Sequence, residues 1–450
     1  MVSGAWSTAS KQFAAQWTEP GDIFSVLLIL GGDVVLGALA AVTGGGPVTA
    51  VAFSFGWVAY AVSALVSAIG DSRLMSCAPE VSLKVFNLQS GYQRQNQSWL
   101  LARLLKTYDA WMPDEVKARL YPSPSHAPRR SHHRVDVELG RAPVVAAAPE
   151  TKPAAPAPPN AALCVAVYRW RNGCTPGVPA RDLVWWSGYA VSLVQLGIAA
   201  IPMGLHRDWS IFLATAAGTL LAYTSASLPQ WGQEKWNARR TPKDVAITVG
   251  NGTRQVVVVQ GANAAGQALD LEDLAAGQPP DTASSRLATT ALTVLWLVLL
   301  ITCTGIQVHT WYLLAVGGIG MLHNIVVAGA PRSPAALGLP IELARCGDGN
   351  GDGDGDGDGN RGPYAVFAET KVMWTLMKLE EQYKGYGKAL LPEFFPGELR
   401  KREKDWWASN DADERRQLFT AIQEEVREKA ERKRMQQQEL ASQSKAAVLS

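Results

Sequence analysis

Long apolar stretches alternate with charged or Pro- and Gly-rich segments along the chain of 450 residues. Six stretches of about 20 residues contain no Lys or Arg, and a helix of that length matches the ~30 Å hydrocarbon core of a bilayer. They comprise residues 23–42, 48–69, 183–203, 209–228, 287–305 and 311–330. The pattern predicts a mainly α-helical protein, a six-span helical membrane bundle made of three hairpins over 23–69, 183–228 and 287–330.

The alternative for each stretch is a helix buried in a soluble core. Such helices more often run ~10–14 residues and carry a polar stripe, which these stretches lack. The segment 209–228 is rich in Ala, Thr and Ser, so a buried or interfacial position is most plausible there. Trp residues at the ends of several stretches, as at Trp185 and Trp311, agree with membrane interfaces.

The distribution of positive charge predicts an orientation. Of the 42 Lys and Arg residues, only Arg207 lies in the three short turns, 43–47, 204–208 and 307–310. Cationic segments stay on the cytosolic side of a membrane, so both termini are expected in the cytosol. The glycosylation sequons at Asn96 and Asn251 should then stay unmodified. The choice between plasma membrane and endomembrane stays open.

The segments outside the spans predict a mixed α/β cytosolic module and disordered linkers. The expected parts are an N-terminal cytosolic segment (1–22), a juxtamembrane helical segment (70–120), a disordered linker (121–160), a β-hairpin segment (229–286), an Asp-Gly linker (331–362) and a C-terminal helical region (363–450). Asn251-Gly252 is a preferred hairpin dipeptide. A two-residue turn there would pair Ile247 with Val256 and Val245 with Val258.

Three helices are predicted outside the spans. An amphipathic helix over 99–111 could lie on the cytosolic leaflet or pack against another cytosolic element, and both interpretations stay open. Residues 372–383 repeat apolar side chains at helical spacing. Residues 411–440 are highly charged and indicate a solvated helix, because apolar positions are too few for a coiled-coil seam.

Four polar residues inside the predicted spans are the candidate site: Asp33, Gln195, His323 and Asn324. Polar groups at membrane depth are costly and often functional. One interpretation is a proton relay or a polar path across the bilayer. The other is structural, with these side chains bonding neighbouring helices or capping helix ends.

Other chemistry finds little support in the sequence. No nucleotide-binding, hydrolase or metalloprotease motif is present, so no catalytic residue and no cofactor are assigned. The Asp-Gly run from Asp348 lacks the Glu that ends a calcium-binding loop, and the histidines at 126–133 fall in a linker, so no metal site is assigned. A net charge of +2 gives no reason to expect nucleic acid.

Two functions therefore compete. The first is permeation of a small solute, an ion or protons. The second is a membrane-anchored scaffold that binds a cytosolic protein through its C-terminal region. A membrane enzyme ranks third, and the lipid bilayer is the partner common to all three.

Several segments carry a resemblance to a known family. They include GDIFSVLLIL (21–30), VAFSFGWVAYA (51–61), PQWGQEKW (229–236), GNGT (250–253), WYLLAVGGIGML (311–322) and LPEFFPGEL (391–399). In these the chain resembles a family of uncharacterised multi-pass membrane proteins of filamentous ascomycete fungi. The resemblance implies a membrane location and a multi-pass topology, and it supplies no functional residues.

Overall fold

The computed structural model describes residues 31–70, 74–121, 160–261, 268–277, 283–346 and 362–448. The predicted N-terminal segment, most of the linker 121–160 and the Asp-Gly run lie outside these ranges. The described helices are α1 (Gly32–Val42), α2 (Gly56–Gly70), α3 (Trp99–Lys106), α4 (Tyr108–Trp111), α5 (Asp114–Leu120), α6 (Leu183–His206), α7 (Ser210–Ala226), α8 (Gln230–Lys235), α9 (Leu271–Ala275), α10 (Ala283–Thr304), α11 (Thr310–Gly329), α12 (Val372–Gln382), α13 (Tyr386–Phe394), α14 (Lys401–Ala408) and α15 (Ala412–Val448). The strands are β1 (Lys84–Asn87), β2 (Gln93–Gln95), β3 (Leu163–Trp170), β4 (Val245–Thr248), β5 (Gln255–Gln260), β6 (Ile341–Leu343) and β7 (Val366–Glu369).

The prediction of a six-span bundle with a small module is wrong. Among the described residues, only three helices are long and apolar enough to cross a membrane. They are α6, the part of α10 over Arg286–Thr304, and α11. The helices α1, α2 and α7 are apolar but shorter, with 11, 15 and 17 residues. Hydropathy reports a preference for apolar surroundings, and it does not require that the whole apolar stretch be helical.

The six apolar helices nevertheless pack together in one closed ring. Around the ring α1 packs on α2, α2 on α10, α10 on α7, α7 on α6, α6 on α11, and α11 on α1. The helices α6 and α7 pack on each other across a short turn, whereas α10 and α11 are also joined by a short turn but pack on different neighbours in the ring. The first predicted hairpin, 23–69, has a different form, which is described with the candidate site.

A seven-stranded mixed sheet replaces the small β-hairpin segment that the sequence predicted. The strand order is β2-β1-β4-β5-β3-β6, and β7 pairs with β3 beside β6. The β3–β5 pair is parallel and the other pairs are antiparallel. The eight residues of β3 are almost all buried, which is typical of a strand covered on both faces.

The β4–β5 hairpin lies where Asn251-Gly252 indicated, but its register differs by one residue. Val245 pairs with Val259 and Ile247 with Val257. The loop is longer than two residues, because Gly250 adopts a φ of +109° and its carbonyl accepts the amide of Thr253 at 3.1 Å. Only glycine adopts such a φ readily, so Gly250 decides the register.

The sheet separates two helical layers. One face, with Val165, Val167 and Val258, packs on α12 and α13. The opposite face, with Ala166, Tyr168 and Val257, belongs to the same apolar core as α3 and the helix bundle. The bundle, the sheet and the outer helices are therefore successive layers.

The helix predicted over 99–111 packs inside the protein. It forms as α3 and α4, which break at Thr107, and every residue from Trp99 to Leu104 is buried. The Tyr108 hydroxyl lies 3.0 Å from that of Tyr168 on β3. This helix therefore packs against another element of the protein, which was one of the two interpretations of the sequence.

The two C-terminal helices form as predicted. Residues 372–382 make α12, which covers the sheet, and α15 extends to Val448, beyond the predicted end. Ion pairs at helical spacing run along α15, including Arg432–Glu428 at 3.4 Å. Such exposed pairs contribute only about 0.3–0.5 kcal/mol each, which agrees with a solvated helix.

Candidate functional site

The chain between α1 and α2 enters the helix bundle as an extended segment. Residues 49–55, the re-entrant segment, are each at most 7% exposed although none is helical. Non-helical backbone is tolerated among membrane helices only where protein buries it or water lines it.

Both ends of this excursion lie at the end of the bundle that faces the sheet. Before it, the Lys235 Nζ lies 3.4 Å from the carbonyl oxygen of Thr43, and the Trp236 ring packs on Gly44. After it, α2 returns to the same end, where the Leu74 amide donates to Glu234 at 2.7 Å. Residues 48–69 thus enter and leave on one side, and the turn 43–47 does not lie at the opposite end, where a spanning hairpin would place it.

Glycines in the surrounding helices provide the space that this extended backbone occupies. A Cβ at Gly320 of α11 would lie 1.8 Å from the carbonyl oxygen of Phe53. A Cβ at Gly188 of α6 would lie 2.1 Å from that of Ala50. Small residues let helices approach closely, and here they let them approach an extended chain.

Two fully buried amides hold the segment. The Gln195 Nε2 donates to the carbonyl of Phe53 at 2.7 Å and to that of Val316 at 2.8 Å. The Asn324 Nδ2 donates to the carbonyl of Ala52 at 3.1 Å and to the Ser54 Oγ at 3.3 Å. An extended chain among helices has no sheet partner, so side chains must satisfy its carbonyls.

The same amides leave oxygens without a partner. The Gln195 Oε1, the Asn324 Oδ1 and the Thr215 Oγ1 are buried and form no hydrogen bond with any described residue. An unsatisfied buried acceptor costs about 1–3 kcal/mol, and native proteins keep few of them. The two amide oxygens belong to side chains that bond the segment, and Thr49 on the segment itself has a buried Oγ1 with no partner among the described residues.

Aromatic rings fill the space between the segment and α10. The Phe53 and Trp296 rings stack at 6.2 Å, and the Trp57 and Trp296 rings stack at 5.3 Å. Phe55 meets Phe53 edge to face at 6.0 Å. The segment is therefore tightly packed on this side.

The structure brings together two of the four residues that the sequence singled out. Gln195 and Asn324 meet at the re-entrant segment, whereas the His323 Nε2 lies 2.9 Å from the Ser187 Oγ. Asp33 is exposed in the first turn of α1 and takes no part in the site. Sequence reasoning missed the segment itself. The glycines at helical spacing in the neighbouring stretches were the available signal.

Three buried cations lie at the end of the bundle that faces the sheet, and we call them the cationic junction: Arg103, Lys235 and Arg332. Arg332 makes two bonds to Asp182, at 2.8 and 2.7 Å, and a third to the carbonyl of Ala41. Arg103 donates to the carbonyls of Ala328 and Ala330 at the end of α11. Positive charge at helix C-termini is favourable because the unsatisfied carbonyls there carry partial negative charge.

Two ionisable groups at the junction have shifted pKa values. Burial holds the pKa of Lys235 well below its ordinary value, and the nearby Arg332 charge lowers it further. Burial alone would raise the pKa of Asp182, but the bonds from Arg332 and the Trp185 amide outweigh burial and leave it lowered. Asp182 also caps α6.

At the opposite end of the bundle, the turn between α6 and α7 meets the turn between α10 and α11. The rings of His206 and His309 stack at 4.4 Å, and the His309 Nδ1 lies 3.2 Å from the Asp208 Oδ2. Arg207 and His309 there both have left-handed backbone conformations. Within the described ranges, no group of three or more His, Cys, Asp or Glu side chains could hold a metal ion.

Comparison with known proteins adds no relative to this picture. No family model, no curated protein and no solved structure matches the chain. The geometry of the bundle and of the sheet is therefore the basis for any functional assignment.

Proposed function

We propose that the protein is a polytopic integral membrane protein whose re-entrant segment forms a permeation site for a small cation or a hydrogen-bond-donating solute. The observation that carries the proposal is the pair of unpartnered amide oxygens, on Gln195 and Asn324, whose amide nitrogens bond a buried, non-helical segment. Broken helices and extended backbone of this kind form solute sites in many membrane proteins.

The outer surface of the bundle supports a membrane location. Large apolar side chains on the three longest apolar helices, α6, α10 and α11, point away from the protein, and they include Leu193, Leu205, Leu287, Ile301, Leu322 and Val326, each at least 65% exposed. A soluble monomer rarely exposes so large an apolar surface. Lipid would cover it at no desolvation cost.

The type of solute follows from the free atoms. The Nε2 and Nδ2 donors of Gln195 and Asn324 are already used by backbone carbonyls, so only oxygens remain to bind a solute. Amide oxygens coordinate hard cations and accept bonds from ammonium-like or hydroxyl donors, and they repel anions. Phe53 and Phe55 pack beside these oxygens and would close the path in the observed conformation.

Truncating the aromatic ring should open that path. We expect Phe53→Ala to raise the flux of K⁺ or ammonium into proteoliposomes at least about tenfold, since a ring-sized space in a packed core removes the obstruction. Entrapped K⁺-sensitive and pH-sensitive dyes measure the two fluxes. Phe212→Ala is the matched control, because Phe212 lies on α7 outside the segment and is partly exposed.

If the segment is a permeation site, the flux through the Phe212→Ala control should equal that of the wild type. Equal flux in Phe53→Ala, Phe212→Ala and protein-free vesicles, for both solutes and with both variants folded, would overturn the proposal. So would a tenfold rise for chloride alone.

The proposed orientation places the sheet in the cytosol, and Asn251 tests it. This sequon is exposed in the β4–β5 turn, whereas Asn96 is buried and its amide bonds the carbonyl of Ser98. We expect no glycan at Asn251 when the chain is expressed in a eukaryotic secretory system. A long loop carrying Asn-Gly-Thr, inserted after Gly305, should be glycosylated. The reverse result would invert the orientation.

A scaffold function is the second candidate, because the sheet and its helices form a large module that shares an apolar core with one end of the bundle. The truncation that tests it must spare β7 and α12, which belong to the sheet and its core. Deleting residues 364–450 would remove both and unfold the module. Point changes on the outer helices are the sharper test.

A further inference from the structure

A groove on the outer helical layer has no role in permeation. It lies between α12, α14 and α15 and encloses about 790 Å³. Its apolar lining includes Val372, Trp374, Phe395, Ile422 and Val426. All of these except Ile422 are partly exposed.

The rim of the groove is strongly cationic. Its charged lining residues are Lys371, Arg400, Lys429, Arg432 and Lys433, against the single acid Glu403. Lys429 and Arg432 pair with Glu425 and Glu428 on the same helix. Lys371 and Lys433 are exposed and form no ion pair within the described part of the chain.

The position of the groove selects the kind of ligand. The helices α12 and α13 cover the face of the sheet opposite the bundle, and α14 and α15 pack outside α12. The whole thickness of the sheet therefore lies between the groove and the apolar helices. Headgroups of the bilayer that surrounds the bundle are thus out of reach, and a soluble ligand is favoured.

We propose that this groove binds an acidic amphipathic helix of a partner protein. An apolar floor receives the side chains that such a helix presents at i, i+4 and i+7, which is a recurrent mode of peptide recognition. The cationic rim pairs with acids on the flanks of the helix and speeds its association. This inference concerns a surface distinct from the permeation site, and either can fail without the other.

A display library of 14-residue helical peptides with randomised surfaces tests the proposal on the full chain in detergent micelles. We expect the selected peptides to be acidic and amphipathic. The fluorescence anisotropy of a labelled peptide should rise and saturate as the protein is added. The double variant Lys371→Glu/Lys433→Glu should weaken their binding at least about tenfold. The double variant Lys384→Glu/Lys388→Glu is the charge-matched control, because both residues are exposed on the same layer outside the groove.

Four results would overturn the proposal. They are a library that yields no binder, selected peptides that are not acidic, equal binding by the groove variant and the control, and displacement of the peptide by a short-chain anionic lipid that binds more tightly. A groove variant whose oligomeric state differs from the wild type by light scattering would instead identify a second copy of this chain as the occupant, and that too counts against the proposal.

Discussion

Replacing Gly320 by Ala should severely destabilise the helix bundle, whereas the same change at Gly318 should not. The new Cβ at Gly320 would lie 1.8 Å from a backbone carbonyl oxygen, while one at Gly318 meets nothing within 4 Å. Overpacking a core costs typically about 1–3 kcal/mol, and more where the obstacle is backbone that cannot rotate away. We expect a loss of at least about 3 kcal/mol for Gly320→Ala.

The two glycines lie two residues apart on one helix and receive the same methyl group, so their difference reports the contact that Gly320 makes with the re-entrant segment. Gly318→Ala should be neutral or gain about 0.5–1 kcal/mol from the helical preference of alanine. Denaturant unfolding in detergent micelles, followed by tryptophan fluorescence, measures both. Equal stability of the two variants would mean that the extended segment does not pass Gly320, and the permeation site would lose its basis.

Replacing Arg332 by Leu should also be strongly destabilising, with an expected loss of about 3 kcal/mol. Removing one partner of a buried ion pair costs about 3–5 kcal/mol, and the low end applies because water can still reach part of Asp182. The Ala41 carbonyl loses its donor as well. Arg171→Leu is the control, since Arg171 is 53% exposed and pairs with Glu342 at 3.5 Å.

The Arg171→Leu control should lose no more than about 1 kcal/mol of unfolding free energy, because exposed ion pairs contribute no more than that.

The junction also predicts a pH dependence of stability. The pKa of Asp182 is lower in the folded chain than in the unfolded one, so its contribution is present above about pH 3.9 and disappears as the pH falls through the folded-state value. Asp182→Asn should remove this component. Identical acid unfolding of wild type and Asp182→Asn would contradict the assigned ion pair.

Local patterns predicted several elements correctly because their causes are local. The helices α6, α10 and α11 follow from long apolar stretches, and α12 and α15 follow from helical spacing and charge. The strands β4 and β5 follow from apolar runs beside Asn251-Gly252. The predicted register was wrong by one residue. The turn is one residue longer than the dipeptide rule assumes, because Gly250 adopts a positive φ.

The candidate site shows where such patterns stop. Gln195 and Asn324 stood out because an amide inside an apolar stretch is unusual, and both contact the segment. Asp33 stood out for the same reason, and it is exposed and takes no part. Polarity within an apolar stretch therefore identified candidates, but it could not tell which of them had a common partner.

The sequence by itself determined which stretches avoid water, where cationic charge is excluded and which polar side chains interrupt the apolar stretches. These properties depend on composition within a short window. Tertiary structure alone decided that residues 49–55 are extended rather than helical, that seven distant strands form one sheet, and that two amides hold the same stretch of backbone. The physical reason is that apolar residues gain similar free energy from any burial, so only the packing of separate segments chooses among the conformations that bury them.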